Sequence, residues 1–190
     1  MHYEKIFFVL LLVTSACGAL NTKSNINGGF ENAVDEIAPD GWSANKLPQI
    51  KKYAEFSLDN SVSHGGNKSI KISILKNHPS QSIIYNWVRR LDGLNVGETY
   101  ELRCWVKLMN IKITPFLNIE FWNNDLSIGS ASTSKKILNV KNNSWQLIKT
   151  VFFVPQATTK IILSAGINGM NNNGGIVWFD DLTISMISNN

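Results

Sequence analysis

Residues 99–107 read Thr-Tyr-Glu-Leu-Arg-Cys-Trp-Val-Lys, and an apolar side chain occupies every second position of this stretch. The apolar row is Tyr100, Leu102, Cys104 and Val106, and the other row is Glu101, Arg103, Trp105 and Lys107. Because successive side chains of a strand point to opposite faces, this alternation predicts a β-strand with one face in a core.

Similar short segments, separated by clusters of Gly, Asn, Pro and Asp, follow along the chain, and almost no stretch has helical periodicity. The predicted strands are 53–58, 69–75, 82–89, 99–108, 116–122, 134–140, 145–154, 160–167 and 175–184. Many short strands with regular turn signals favour an all-β, two-sheet β-sandwich jelly roll. We expect one such domain over residues 26–187.

The N-terminus predicts export. Lys5 precedes an apolar run over residues 6–13, and small residues follow at 14–19. This order is typical of a secretory signal, predicted here over residues 1–19. A short membrane anchor or a buried helix is the alternative, but the run is much shorter than the roughly 20 apolar residues that a membrane span needs.

Cys17 follows Thr14-Ser15-Ala16 and resembles the cysteine of a bacterial lipobox, which is acylated and becomes the mature N-terminus. Thr14 departs from the Leu that is usual there, so ordinary cleavage after Gly18 or Ala19 stays open. Acylation would make residues 20–25 a short tether and the protein a lipoprotein of the bacterial cell envelope or outer surface; otherwise it is secreted. Cys104 is the only other cysteine, so no disulfide is expected within the mature domain.

The net charge of +4 is modest, and the lysines are scattered along the sequence. We therefore predict no nucleic-acid partner. We also expect membrane contact only through a lipid anchor, and a monomer. A basic surface is compatible with an acidic polysaccharide or with the outer face of an envelope, although lysines more often only solvate a surface.

A series of short motifs runs through the chain from Asn27 to Ile184. The series comprises Asn27-Gly28-Gly29-Phe30-Glu31, Pro39-Asp40-Gly41-Trp42, residues 64–72, residues 94–102, Trp145 ahead of Phe152-Phe153-Val154-Pro155, and residues 175–182. It resembles the galactose-binding-like jelly rolls of the family 4/9 and 22 carbohydrate-binding modules. The resemblance implies non-catalytic binding of a polysaccharide or glycan on the concave sheet, and leaves the sugar open.

The resemblance also implies a structural calcium ion, held between the first strand, a glycine turn and the last strand. The matching positions are Glu31, Gly66, Lys68 and Asp180. Calcium prefers carboxylate and carbonyl oxygens. Strand parity favours Asp180 over Asp181, since it places the Asp180 carboxylate inward, where it needs a partner. Alternatively, Glu31 and Asp180 only accept backbone hydrogen bonds.

A sugar site pairs an aromatic face with amides and carboxylates that bond the hydroxyl groups. Three predicted strands carry such groups in one row. The candidate sugar-binding residues are Asn118, Glu120 and Trp122, then Tyr85, Trp87 and Arg89, and finally Arg103 and Trp105. Alternatively, some rows face the convex side or lie under a loop. We expect Trp42, Trp145 and Trp178 to belong to the core.

The sequence contains no Ser/His/Asp arrangement and no histidine-rich metal spacing, so we predict no enzyme. A protein-interaction or adhesion module would use the same aromatic residues without a sugar. A small glycoside hydrolase or lyase, with Glu120 paired to Glu101 or Asp125, is the third reading. The row position of Cys104 predicts an inert core thiol.

Overall fold

The structure is a computed structural model, and it describes residues 26–33, 35, 37–45, 52–133 and 143–187. The predicted signal, Cys17, the tether over residues 20–25 and the predicted strand 134–140 lie outside these residues. Within the described ranges, no helix has the length and apolar character that crossing a membrane requires.

Strands are the only regular secondary structure in the described residues. The strands are β1 (Ser43–Ala44), β2 (Ala54–Asp59), β3 (Ser69–Ile74), β4 (Ile84–Leu91), β5 (Thr99–Met109), β6 (Phe116–Asn123), β7 (Leu126–Ser132), β8 (Trp145–Phe153), β9 (Lys160–Asn168) and β10 (Ile176–Met186). They make two antiparallel sheets, with the order β1-β4-β9-β6-β7 in the front sheet and β2-β3-β10-β5-β8 in the back sheet. The predicted all-β sandwich is confirmed.

The core lies between the two sheets and is filled by the inward rows of their central strands. On β5, Tyr100, Leu102, Cys104 and Val106 are at most 2% exposed, as the alternation predicts. Ile119 of β6 and Leu163 of β9 are fully buried in the same cluster. Burial raises the pKa of the Cys104 thiol well above its ordinary value, so the thiol is held in its unreactive protonated form.

Two described strands are absent from the sequence prediction. β1 has only two residues, with Ser43 paired to Val88, which is too short for a periodic signal. β7 reads Leu-Ser-Ile-Gly-Ser-Ala-Ser and is the edge strand beyond β6. None of its side chains is fully buried, so its sequence does not alternate as a half-buried strand should.

Trp178 is buried, but on the outer face of the back sheet rather than in the core. It lies opposite Lys107 and Lys71, whose side chains point away from the core, and its Nε1 donates to Asp59 Oδ2 at 2.9 Å. The expectation that Trp178 belongs to the core is wrong, because the pairing of β10 with β5 shifts register between Asp180 and Thr183, so that Trp178 does not share a face with Leu182 and Ile184. Burial favours a raised pKa for Asp59, but hydrogen bonds from Trp178, Ser61 and Lys71 together hold it below its ordinary value.

The connections divide between the two ends of the sandwich. One end of the sandwich is where Ile84 pairs with Asn168 and Ile176 pairs with Met109. The links that begin and end there are β1–β2, β3–β4, β5–β6, β7–β8 and β9–β10. The remaining links lie at the other end. The β5–β6 and β9–β10 links each cross from one sheet to the other, so they shape the rim of the front sheet.

Candidate functional site

The outer face of the front sheet carries polar side chains in register across its strands. Asn118 of β6 lies opposite Ser164 of β9 and Ser132 of β7. One step further along β6, Glu120 lies opposite Ile162 and Ser130. Paired residues of neighbouring strands point to the same face, so this surface offers amides, hydroxyl groups and a carboxylate side by side.

A groove crosses this face at the end where β6 begins. Its volume is about 490 Å³. The lining residues are Ile84, Ile113, Thr114, Phe116, Asn118, Ser132 and Asn168. We call this the front groove, and the end of the sandwich that holds it the groove end. The lining combines apolar side chains with amide and hydroxyl groups, as in sites for ligands with both apolar and hydroxylated faces.

Phe116 is the aromatic residue of the front groove, and Gly166 makes room for its ring. Phe116 is half-buried and lies opposite Gly166 of β9. A Cβ atom at Gly166 would come within 2.8 Å of Phe116 Cζ and 2.7 Å of Asn86 Cβ. The missing side chain therefore leaves room for the Phe116 ring, which lines the groove.

Hydrogen bonds orient the amides around the front groove. Asn118 Nδ2 donates to Glu120 Oε1 at 3.1 Å, and Asn168 Nδ2 donates to Ser82 Oγ at 2.8 Å. At the adjoining position, Asn86 Nδ2 donates to Ser164 Oγ at 3.0 Å. Side chains that are already oriented lose less conformational entropy when they bind a ligand.

The structure places one of the three predicted rows on this face. Asn118, Glu120 and Trp122 point outward from β6, but only Asn118 lines the groove. Trp122 lies toward the opposite end of the strand, with Lys160 Nζ 4.7 Å from its ring centroid. A cation over an aromatic face competes with a sugar for that face.

The structure does not place the predicted row Tyr85, Trp87 and Arg89 on this outer face. Tyr85 and Trp87 are 0% and 1% exposed, because this row of β4 points into the core. Trp87 packs edge-to-face on Phe56 of the back sheet at 5.5 Å. Arg89 Nη1 donates to Asp40 O at 2.8 Å, and burial lowers the pKa of its guanidinium.

Arg103 and Trp105 also lie away from the front groove, on the outer face of the back sheet. Arg103 pairs with Glu101, which also bonds Lys149 at 3.2 Å. The His64 ring stacks on Trp105 at 4.1 Å and meets Trp145 edge-on at 5.6 Å. A loop therefore covers the aromatic face of Trp105.

Two other tryptophans were expected in the core. Trp145 is a half-buried residue of the outer face rather than a core residue, whereas Trp42 is buried and packs on Phe30 as expected.

The implied calcium ligands Glu31, Gly66 and Lys68 lie together at the turn before β3. Glu31 Oε1 accepts hydrogen bonds from Asn67 N at 2.8 Å and Lys68 N at 3.0 Å. Lys68 Nζ in turn donates to Glu31 O at 2.9 Å. The backbone of this turn therefore encloses one oxygen of the carboxylate.

Asp180 and Asp181 flank the same turn on its other side. Asp180 Oδ2 accepts from His64 N and Gly65 N, and its Oδ1 accepts from Asp181 N. Burial and the nearby Asp181 carboxylate raise the pKa of Asp180 to about 6, against these hydrogen bonds. Asp180 faces outward under the turn, opposite Trp105, rather than into the core as parity predicts.

The residues around this turn fit a hard cation in part. A Cβ atom at Gly65 would lie 2.6 Å from Asp181 Oδ2, and one at Gly66 would collide with Glu31 Oε1. Consecutive glycines thus form a cradle between two carboxylates. The described residues hold no cluster of three or more ionisable side chains suited to a metal, so backbone carbonyl groups would have to supply the other ligands.

Sequence reasoning missed Phe116, Gly166 and Asn168 as site residues. One signal was available, because β9 reads Lys-Ile-Ile-Leu-Ser-Ala-Gly-Ile-Asn and has small residues in the middle of a central strand. Glycine in a strand interior often marks the close approach of another group. The proximity of Ile84 to Asn118 had no sequence signal, because it depends on strand order.

Comparisons with known proteins find one matching family and several solved structures with a similar fold. A family model described as "Carbohydrate binding domain" matches residues 23–167. No curated protein matches the sequence.

Three solved structures share the fold. The xylan-binding domain CBM22-1 from Paenibacillus barcinonensis has a TM-score of 0.54 and 13% identity, with 86% of this chain and 94% of that one covered. A Stig cyclase from Fischerella sp. TAU gives 0.59 and 14%, covering 88% and 98%. The enzymatically active domain of tailspike protein 4 of bacteriophage CBA120 gives a TM-score of 0.60 and 16% identity, covering 87% of this chain and 21% of that one.

Proposed function

Because this chain belongs to the carbohydrate binding domain family, whose model matches residues 23–167, we propose that it binds a polysaccharide in the front groove without catalysing a reaction. The observation that carries the proposal is the groove itself, where Phe116 lies beside Asn118, Ser132 and Asn168. An aromatic ring packs on the apolar face of a sugar, while amides and hydroxyl groups bond its hydroxyls. The groove crosses several strands and is open, as a polymer requires.

The catalytic alternative requires two carboxylates on the same side of the molecule. Glu120 lies on the outer face of the front sheet, whereas Glu101 lies on the outer face of the back sheet and pairs with Arg103 and Lys149. The whole sandwich separates these two groups. Asp125 belongs to the hairpin between β6 and β7, beyond Trp122. This arrangement supports binding rather than hydrolysis.

Affinity gel electrophoresis and a glycan array, with plant, algal and host polysaccharides, test the proposal. We expect retardation by at least one polysaccharide, with no release of reducing ends from it. Absence of binding to every polysaccharide would contradict the proposed function. Release of product that disappears in Glu120→Gln would instead support a hydrolase or lyase.

A protein-interaction module is the second candidate, and one observation favours it. Leu147, Val151 and Phe153 are 37%, 53% and 53% exposed along the outer row of β8. β8 is an edge strand of the back sheet, and exposed apolar rows often mark contact surfaces. Loss of partner binding in Phe153→Ala, in a protein that binds no glycan, would support this candidate.

We further propose that the protein is exported and tethered to the cell envelope through acylated Cys17. Support comes from the charged start, the short apolar run and the small residues before Cys17. Mass spectrometry of the mature protein should show a diacylglyceryl cysteine at its N-terminus, and Cys17→Ala should release the protein from membranes. A mature N-terminus at residue 19 or 20 would contradict the tether.

A calcium ion is proposed at the turn before β3, with Glu31 and Asp181 as carboxylate ligands. Asp180, the ligand predicted from the sequence, is not among them, because both of its carboxylate oxygens accept backbone hydrogen bonds. A bound ion would neutralise the charges of the two carboxylates and so stabilise the fold. Saturating Ca²⁺ should therefore raise the melting temperature relative to EDTA, by several degrees at about 100 times Kd. Calorimetry of Glu31→Gln should show no such rise, whereas Glu55→Gln on the exposed side of β2 should keep it. Equal melting of the parent in Ca²⁺ and EDTA would refute the site.

A further inference from the structure

The fold gathers at the groove end lysines that are scattered in the sequence. Lys52 precedes β2, Lys76 lies in the β3–β4 link and Lys112 lies in the β5–β6 link, and all three are exposed. Lys76 and Lys112 flank the β9–β10 link from its two sides. Asn173 Nδ2 donates to Lys76 O at 3.1 Å, and Lys112 N donates to Asn172 Oδ1 at 2.8 Å.

No carboxylate balances these lysines within the described links of the groove end. Residues 52–53, 75–83, 110–115 and 169–175 contain neither Asp nor Glu. At the opposite end, the links contain Asp92, Glu98 and Asp125. Among the described links, those of the groove end therefore carry net positive charge, and those of the opposite end, which contain one lysine (Lys68), carry net negative charge.

A second cavity lies at the groove end, directly beside the front groove. Its volume is about 380 Å³, and its lining residues are Asn110, Ile111, Lys112, Asn171 and Asn173. It shares the β5–β6 link with the front groove, since Ile113 and Thr114 line the groove and Lys112 lines this cavity. A chain seated in the groove can therefore extend over a surface of amides and one ammonium group.

We propose that the groove end selects an acidic polysaccharide, whose sugars carry carboxylate or sulfate groups that Lys76 and Lys112 recognise. This inference rests on the proposed function. The lining of the front groove contains no charged side chain, so a sugar ring would pack on Phe116 there. The anionic groups of the same or the next sugar then lie near the lysines, where charge complementarity fixes both affinity and orientation.

An anionic membrane surface is the competing partner for a lysine-rich end, and the distribution of apolar side chains disfavours it. Surface-bound proteins insert apolar side chains beside their basic residues. Among the large exposed hydrophobic residues of the described ranges, only Ile84 lies at the groove end, and it lines the groove. The remaining ones lie on other surfaces, such as the outer row of β8.

Pairs of polysaccharides that share a backbone but differ in charge test the proposal. We name polygalacturonate against its methyl ester, chondroitin sulfate against chondroitin, and carboxymethyl cellulose against hydroxyethyl cellulose. Binding is measured by affinity electrophoresis and calorimetry, with the parent and with Lys76→Gln/Lys112→Gln. The control is Lys107→Gln/Lys149→Gln, which removes the same charge from the outer face of the back sheet.

We expect at least one acidic member to bind about tenfold more tightly than its neutral partner at low salt, and less so as salt screens the charges. The Lys76/Lys112 variant should lose this preference, while the control keeps it. Equal binding of both members overturns the acidic preference and leaves the proposed function intact. Equal losses in variant and control also overturn it, because net charge alone would then explain binding. Binding only to vesicles of anionic lipid overturns both proposals, as does binding to nothing.

Discussion

Phe116→Ala is expected to weaken polysaccharide binding at least about tenfold, equivalent to about 1.4 kcal/mol. The ring is the aromatic surface of the front groove and lies against Gly166. Truncation removes the flat apolar face on which a sugar would pack, and it leaves Asn118 and Asn168 to bond the hydroxyl groups alone. Calorimetry with the polysaccharide identified on the glycan array measures the loss.

Phe153→Ala is the matched control for this variant. Phe153 is the same residue type, is 53% exposed, and lies on the back sheet away from the groove. We expect its affinity for the polysaccharide to equal that of the parent. If Phe153→Ala lost binding and Phe116→Ala kept it, the ligand would sit on the back sheet, and the proposed groove would be wrong. Melting curves of both variants show whether the folds remain comparable.

Trp87→Ala is expected to reduce the free energy of unfolding by about 3–5 kcal/mol, because it opens a cavity between the two sheets. Trp87 is 1% exposed, packs on Phe56, and donates its Nε1 hydrogen to Lys71 O at 3.3 Å. The ring thus joins β4 of the front sheet to the back sheet. For a domain of this size, the melting temperature should fall by roughly 10 °C, measured by scanning calorimetry.

Trp87→Phe separates this structural role from the ligand-binding role that the sequence predicted. The smaller ring keeps most of the buried apolar surface, so the variant should fold and bind the polysaccharide like the parent. Unchanged melting with lost binding would show that Trp87 contacts the ligand, against the burial described above. Polysaccharide binding by Trp87→Ala depends on whether that variant folds. Trp87→Phe is therefore the variant that distinguishes the structural role from a ligand-binding role.

Local alternation predicted most of the strands in this domain. Residues 99–107 alternate in the sequence, and β5 buries the apolar row as expected. The strand at 116–122 is likewise found within β6. Such strands are predictable because one side-chain row faces the core along its whole length and the other faces away from it. Neighbouring residues in the sequence therefore alternate between apolar and polar. β1 and β7 lack that pattern, because one is too short and the other has no buried row.

The candidate site was predicted less well than the fold. Asn118 was assigned to the ligand-binding face and lines the groove, but Tyr85 and Trp87 were assigned there and lie in the core. Both rows of β4 contain large residues, so alternation alone does not tell which row points inward. The inward direction follows from the pairing of β4 with β9 and from the packing of Trp87 on Phe56 of the other sheet.

The fold class, the family and the buried row of β5 are predictable from the sequence, because they depend on local alternation and on the order of short motifs. Which strands meet at the front groove, and which lysines share its end, follows only from the three-dimensional arrangement of the strands. Lys76 and Lys112 are far apart in the chain, yet they flank one loop because β3, β5 and β9 all end there. Long-range strand pairing brings such residues together, and no local sequence pattern records it.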